Sequence, residues 1–89
     1  MELTLTEVIE RSKGQLVTLT GLKLVGVTRA FKDDLGWHVW AEMLELSRVP
    51  PSADVLAEYE VVLGADGSVL NLERKRTRLR AEQAHQEST

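Results

Sequence analysis

The apolar positions of this chain change their spacing once, at Gly21. Before it, Leu5, Val8, Ile9, Leu16 and Leu19, with Ser12 among them, recur at three- and four-residue steps, the spacing of one helical stripe. Thr4 and Glu7 stand three apart at its start, as in a capping box. Gly14 weakens the middle by about 1 kcal/mol relative to alanine, and Gly21 suits a helix stop. The pattern predicts a helix over 4–20, with Gly14 as the one place where it could break.

Beyond Gly21 the period shortens to two. A strand is expected over 22–31, followed by a turn at Lys32-Asp33-Asp34-Leu35-Gly36. In the next strand, 37–48, Trp37, Val39, Ala41 and Met43 alternate with His38, Trp40, Glu42 and Leu44. Pro50-Pro51 ends it, because neither can donate to a sheet ladder. A third strand spans 55–63, with Val55, Ala57, Tyr59, Val61 and Leu63 on one side. Gly64-Ala65-Asp66-Gly67-Ser68 reads as a hairpin loop in which Gly67 takes the left-handed position, and a fourth strand spans 69–80.

These elements give an α+β fold: one N-terminal amphipathic helix packed on a four-stranded antiparallel meander sheet. The other sheet face is expected to lie in water, as antiparallel sheets allow. Residues 1–80 form one domain, and 81–89 form a polar tail, frayed or briefly helical. At 89 residues the core must be thin, so each large apolar side chain matters.

Charge changes the picture more than composition does. Between Lys32 and Asp66 there are eight acidic and two basic residues, whereas Arg74, Lys75, Arg76, Arg78 and Arg80 form a strip of five cations with no acid among them. Edge-strand protection accounts for the strip most simply; an acidic protein partner and a nucleic-acid backbone are the functional readings. No aromatic residue lies within the strip to stack on bases, which disfavours nucleic acid. Trp37 and Trp40 are three apart on one strand and therefore point to opposite faces. One packs under the helix, and the other is covered by a long side chain or offered to a partner.

Candidate chemistry is sparse. The chain has no cysteine, which removes disulfides and thiolate chemistry and favours a cytoplasmic setting. The start has no signal-peptide pattern, and no apolar run reaches the ~20 residues of a membrane span. His38 and His85 lack ligand-spaced partners, so no metal is expected. Asp33 and Asp34 fit a turn, and Glu42 and Glu58 fit a solvated face better than an acid–base pair. No glycine loop feeds a helix to hold phosphate, and no serine stands in a nucleophile elbow. Neither an enzyme nor a cofactor is expected; a protein-binding domain is.

One longer pattern sharpens this. Gly36-Trp37-His38-Val39, Glu42, Glu45-Leu46, Arg48-Val49-Pro50, Asp54-Val55-Leu56-Ala57 and Tyr59-Glu60-Val61, then Asp66-Gly67 and the arginine-rich strand, resemble the gas vesicle protein O family, GvpO. The likeness covers roughly 5–80 in order and spacing. It departs near Leu72 and Arg78, where family members often carry tyrosines, at Pro51, where an acid is common, and at Glu73. The resemblance implies an accessory protein of gas vesicle formation, cytoplasmic or associated with the vesicle. Its partners would be other gas vesicle proteins, accessory proteins and the shell subunit being the candidates. A regulator of gas vesicle gene expression that contacts nucleic acid through 74–80 is the alternative. Partner contacts are expected at Trp37, Trp40, Arg48, Arg74, Arg76, Arg78 and Arg80.

Overall fold

Thr4 begins the first element as the pattern requires. Its hydroxyl accepts from the Glu7 amide at 3.2 Å, and the Glu7 carboxylate accepts from the Thr4 amide at 2.8 Å. This closed box starts α1, Leu5–Thr20, which runs unbroken through Gly14. Gly21 closes the helix at φ 70°, a left-handed conformation that glycine adopts without Cβ strain. The computed structural model describes residues 3–80; His85 and the tail expectation for 81–89 lie outside them.

Four strands follow: β1 Lys23–Asp33, β2 Gly36–Leu46, β3 Val55–Leu63 and β4 Val69–Leu79. They form one antiparallel sheet in the order β1-β2-β3-β4, so the α+β meander stands as expected. β1 extends two residues beyond the apolar pattern, because Lys32 pairs with Trp37 and Asp33 with Gly36. β2 stops two residues short of Arg48, at an irregularity between Leu44 and Leu46. A short 3-10 turn, Pro51–Ala53, leads into β3. Gly36 sits at φ 140°, where a Cβ would run into the Leu63 carbonyl oxygen, so a side chain there would push the hairpin ends apart. Gly67 takes the expected left-handed position at φ 88°.

The helix covers one face of the sheet. Val8 and Leu16 pack with Val39, Ala41 and Met43 of β2 and with Val61 and Leu63 of β3; all are buried. Leu24, Val27, Ala30, Trp37, Tyr59, Val69 and Leu72 border this core. Two members of the helical stripe behave differently from expectation. Leu5 and Leu19 share the stripe's side but lie in the first and last turns, and both are about half exposed. Ser12 is fully buried instead, and its hydroxyl has no hydrogen-bond partner among the described residues.

The opposite face is not open to water as expected. His38 of β2 and Leu56, Glu60 and Val62 of β3 are buried there although no helix covers them. Long side chains supply the cover.

Leu16→Ala is expected to lower the unfolding free energy by about 2–5 kcal/mol. Leu19→Ala should change it by no more than about 0.5 kcal/mol. Ser12→Ala, which removes an unpaired buried hydroxyl, should be neutral or stabilising. Urea denaturation followed by tryptophan fluorescence reads all three, and equal losses at Leu16 and Leu19 would contradict this packing.

Candidate functional site

The acidic middle and the basic strip of the sequence meet on adjacent strands. β3 brings Glu58 and Glu60 beside β4, and β2 brings Glu42 and Glu45 one strand further in. At the hairpin end, His38 lies between two carboxylates. Its Nε2 is 2.8 Å from Asp33 Oδ1, and its Nδ1 is 2.8 Å from Glu60 Oε2. Phe31 stacks on the imidazole at 4.7 Å, almost parallel to it. Asp33 Oδ1 also accepts from the amides of Leu35 and Gly36, so the same carboxylate fixes the β1–β2 turn.

Glu60 continues the chain of contacts. Its Oε2 accepts from Trp40 Nε1 at 2.9 Å, and its Oε1 lies 3.3 Å from Lys75 Nζ. Lys75 also meets Glu73 at 2.9 Å. Trp40 is held from two strands: the Arg29 guanidinium lies 4.8 Å from the ring centroid and the Lys75 ammonium 5.3 Å. The line Asp33–His38–Glu60–Lys75 therefore crosses all four strands.

The next level repeats the device. Glu42 and Glu58 do face each other in register, an arrangement of like charges that would destabilise the sheet if left bare. Arg78 bonds Glu42, with Nε donating at 2.7 Å and Nη2 donating to the same oxygen. Arg76 Nε donates to Glu58 at 3.0 Å, and the Thr28 hydroxyl donates to the other Glu58 oxygen.

Strict alternation would place Arg74 on this outer face with Arg76 and Arg78. A bulge prevents it: Tyr59 pairs with Arg74 and Glu58 with Arg76, leaving Lys75 as the extra residue. Arg74 thus turns to the helix side. There it grips Glu45 with two parallel bonds of 2.8 Å, and the Tyr59 hydroxyl donates to the same carboxylate at 2.9 Å. Arg80 closes the far end, donating to Asp54 at 3.3 Å.

The expected contact residues now separate into groups. Trp40, Arg74, Arg76, Arg78 and Arg80 all serve internal contacts. Trp37 is partly buried against the helix-side core, with the Lys32 ammonium 5.5 Å over its ring. Arg48 differs from these: no carboxylate among the described residues meets its guanidinium. His38, Glu45, Asp54 and Tyr59 lie within the family-like pattern but are not among the expected contact residues; the sequence signal for their pairing is the opposition of an acidic and a basic block on neighbouring strands.

Titration follows from this geometry. Burial lowers the His38 pKa, but the bonds and charges of Glu60 and Asp33 outweigh it and hold the pKa above the ordinary value. Burial raises Asp33 and Glu60, yet His38, together with turn amides for Asp33 and Lys75 and Trp40 for Glu60, brings both below theirs. Only the doubly protonated imidazolium donates to both carboxylates. Glu45 is lowered by the Arg74 bond, and Tyr59 is raised by burial and by Glu45. Among the described residues, no group of three or more histidines or carboxylates is placed to hold a metal ion, and no helix is long and apolar enough to cross a membrane.

Two measurements check the network. A raised His38 pKa gives stability that is whole below about 6.5 and lost as pH rises through the higher folded value. Asp33 and Glu60 act in reverse, losing their contribution as pH falls through their lowered folded values. The urea midpoint should therefore decline above about pH 6.5 in the wild type and be flatter there in His38→Gln. An identical decline in both proteins would remove His38 as its source. In a double-mutant cycle, Glu42→Gln and Arg78→Met should couple by about 1.5–3 kcal/mol, the range for bonds to charged groups. Simple additivity would assign that pair no role in stability.

Comparison with known proteins places the chain. The family described as gas vesicle synthesis protein GvpO matches residues 1–84. Gas vesicle protein O of Streptomyces sp. (strain CB03234) is 38% identical over 69 residues, covering 78% of this chain and 54% of its own. Gas vesicle protein O1 of Halobacterium salinarum (strain ATCC 700922 / JCM 11081 / NRC-1) is 29% identical over 70 residues, covering 79% of this chain and 59% of its own. The chain therefore spans little more than half the length of these curated relatives. No solved structure matches it. By the extent of the family match and the order of its motifs along the sheet, the chain belongs to the gas vesicle synthesis protein GvpO family.

Proposed function

We propose that this chain is an accessory protein of gas vesicle formation and that it acts by binding other gas vesicle proteins, without catalysing a reaction. The family match supports the first half. The second half is carried by one observation: the carboxylates, cations and histidine of the sheet faces are bonded to one another across the strands. Groups committed in this way hold a scaffold rigid. They are poorly placed to exchange protons with a substrate, because each proton moved would cost a structural bond.

The same observation weighs against the nucleic-acid reading of 74–80. A cation already paired with a carboxylate releases little counterion when it meets phosphate, and counterion release drives such binding. Accessory proteins and the shell subunit are the candidate partners. The setting is the cytoplasm, in contact with the growing vesicle.

The test is deletion in a host that makes gas vesicles from a transferred gene cluster. Removing the reading frame that encodes this chain should abolish flotation and pressure-collapsible light scattering, and supplying it from a plasmid should restore both. Normal vesicles without it would overturn the proposal.

A further inference from the structure

The end of the sheet formed by the β2–β3 connection differs from the rest of the molecule. The other two turns are closed by polar side chains, Asp33 in one and Asp66 with Ser68 in the other, and the first also exposes a single apolar residue, Leu35. Here the connection carries Leu46, Arg48 and Val49, and Val49 is 97% exposed. A single exposed aliphatic side chain is ordinary; what sets this end apart is that Val49, Leu46 and Leu79 are exposed together with cations that no carboxylate among the described residues meets.

This loop is held firmly. Asp54, which is buried, accepts the Arg48 amide at 2.8 Å and the Arg80 guanidinium at 3.3 Å, while its carbonyl accepts the Arg80 amide at 3.0 Å. The amides of Ala53 and Asp54 bond back to Pro50 and Pro51 at 2.9 Å. Val49 and Arg48 therefore project from a fixed backbone, and little backbone entropy remains to be lost when a partner docks.

Charge at this end is one-sided. The carboxylates nearby are already neutralised: Glu42 by Arg78, Glu45 by Arg74 and Asp54 by Arg80. Arg48 and Lys23, which pairs with Leu44 across the sheet, meet no carboxylate among the described residues. Among the described residues, the unpaired charge of this end is positive although the chain as a whole carries −3. Leu46 and Leu79, each nearly half exposed, flank β3 in register on either side of Val55 and add apolar surface.

From this we infer that the β2–β3 loop end, centred on Arg48 and Val49, is a docking surface for an acidic amphipathic segment of another gas vesicle protein. The inference rests on the protein-binding reading above and narrows it to one surface and one partner chemistry. The partner's apolar side chains cover Val49, Leu46 and Leu79. Its carboxylates meet Arg48 and Lys23, which sets orientation and speeds encounter.

A photo-reactive amino acid at position 49 tests this in the same vesicle-producing host. Position 6, an exposed residue at the start of α1, serves as the control. The expected product is a crosslink from 49, absent from 6, to a gas vesicle protein segment in which Asp or Glu stands beside apolar residues. Arg48→Glu should cut its yield roughly tenfold or more, the cost of replacing one attractive charge contact by a repulsive one. Arg48 makes no side-chain bond within the described residues, so an unchanged thermal melt of R48E confirms that folding is not the cause. A crosslink to a second copy of this chain, to nucleic acid or to a segment without carboxylates overturns the inference, as does equal yield from position 6 or no crosslink at all. If R48E and V49D also support normal vesicles while deletion of the chain abolishes them, this surface is wrong and the accessory role stands. If deletion itself leaves vesicles normal, the accessory role fails.

Discussion

The fold depends on how a four-stranded sheet with only one helix closes its second face. A sheet has two faces to shield, and α1 can shield one. On the other, the acidic residues of β2 and β3 meet the basic residues of β4 and their charged ends bond together, while Leu56 lies in register between Leu44 and Arg78 and Val62 between His38 and Asn71. Burial of His38 and Glu60 follows from the same arrangement. Pairing offsets the cost of desolvating these charges, and two of the carboxylates gain a further neutral partner, Trp40 for Glu60 and Thr28 for Glu58.

This arrangement explains why sequence and structure agree on elements but differ on surfaces. The helix, the strand order and the opposite orientations of Trp37 and Trp40 follow from period, caps and turns, which are local properties. The role of the basic strip is not local. Its cations looked available because their acids lie up to 36 residues away in the chain, as Glu42 does from Arg78. Register decides such pairings, and register was not readable from either strand alone. The bulge at Lys75 was equally hidden: nothing in Arg74-Lys75-Arg76 announces that one of three similar cations will be unpaired in the ladder.

The candidate surface was legible only in part. Arg48 stood within a recognised pattern, but its distinction from the other arginines emerged only once their carboxylates were known. Val49 belongs to the same pattern, but a lone valine before two prolines reads as a loop end. Its meaning comes from the rigidity that Asp54 gives the loop, and Asp54 is tied to Arg80 from the opposite end of the sheet's sequence.

The irregularities of the two outer strands have a further consequence. β1 is interrupted between Leu24 and Gly26 and again between Val27 and Arg29, and β4 is interrupted at Lys75 and near Leu70. Neither edge therefore presents the straight, evenly spaced row of amides and carbonyls that another strand needs in order to continue the sheet. Bulged borders of this kind disfavour edge-to-edge pairing of one copy with the next, so the sheet ends where its own four strands end.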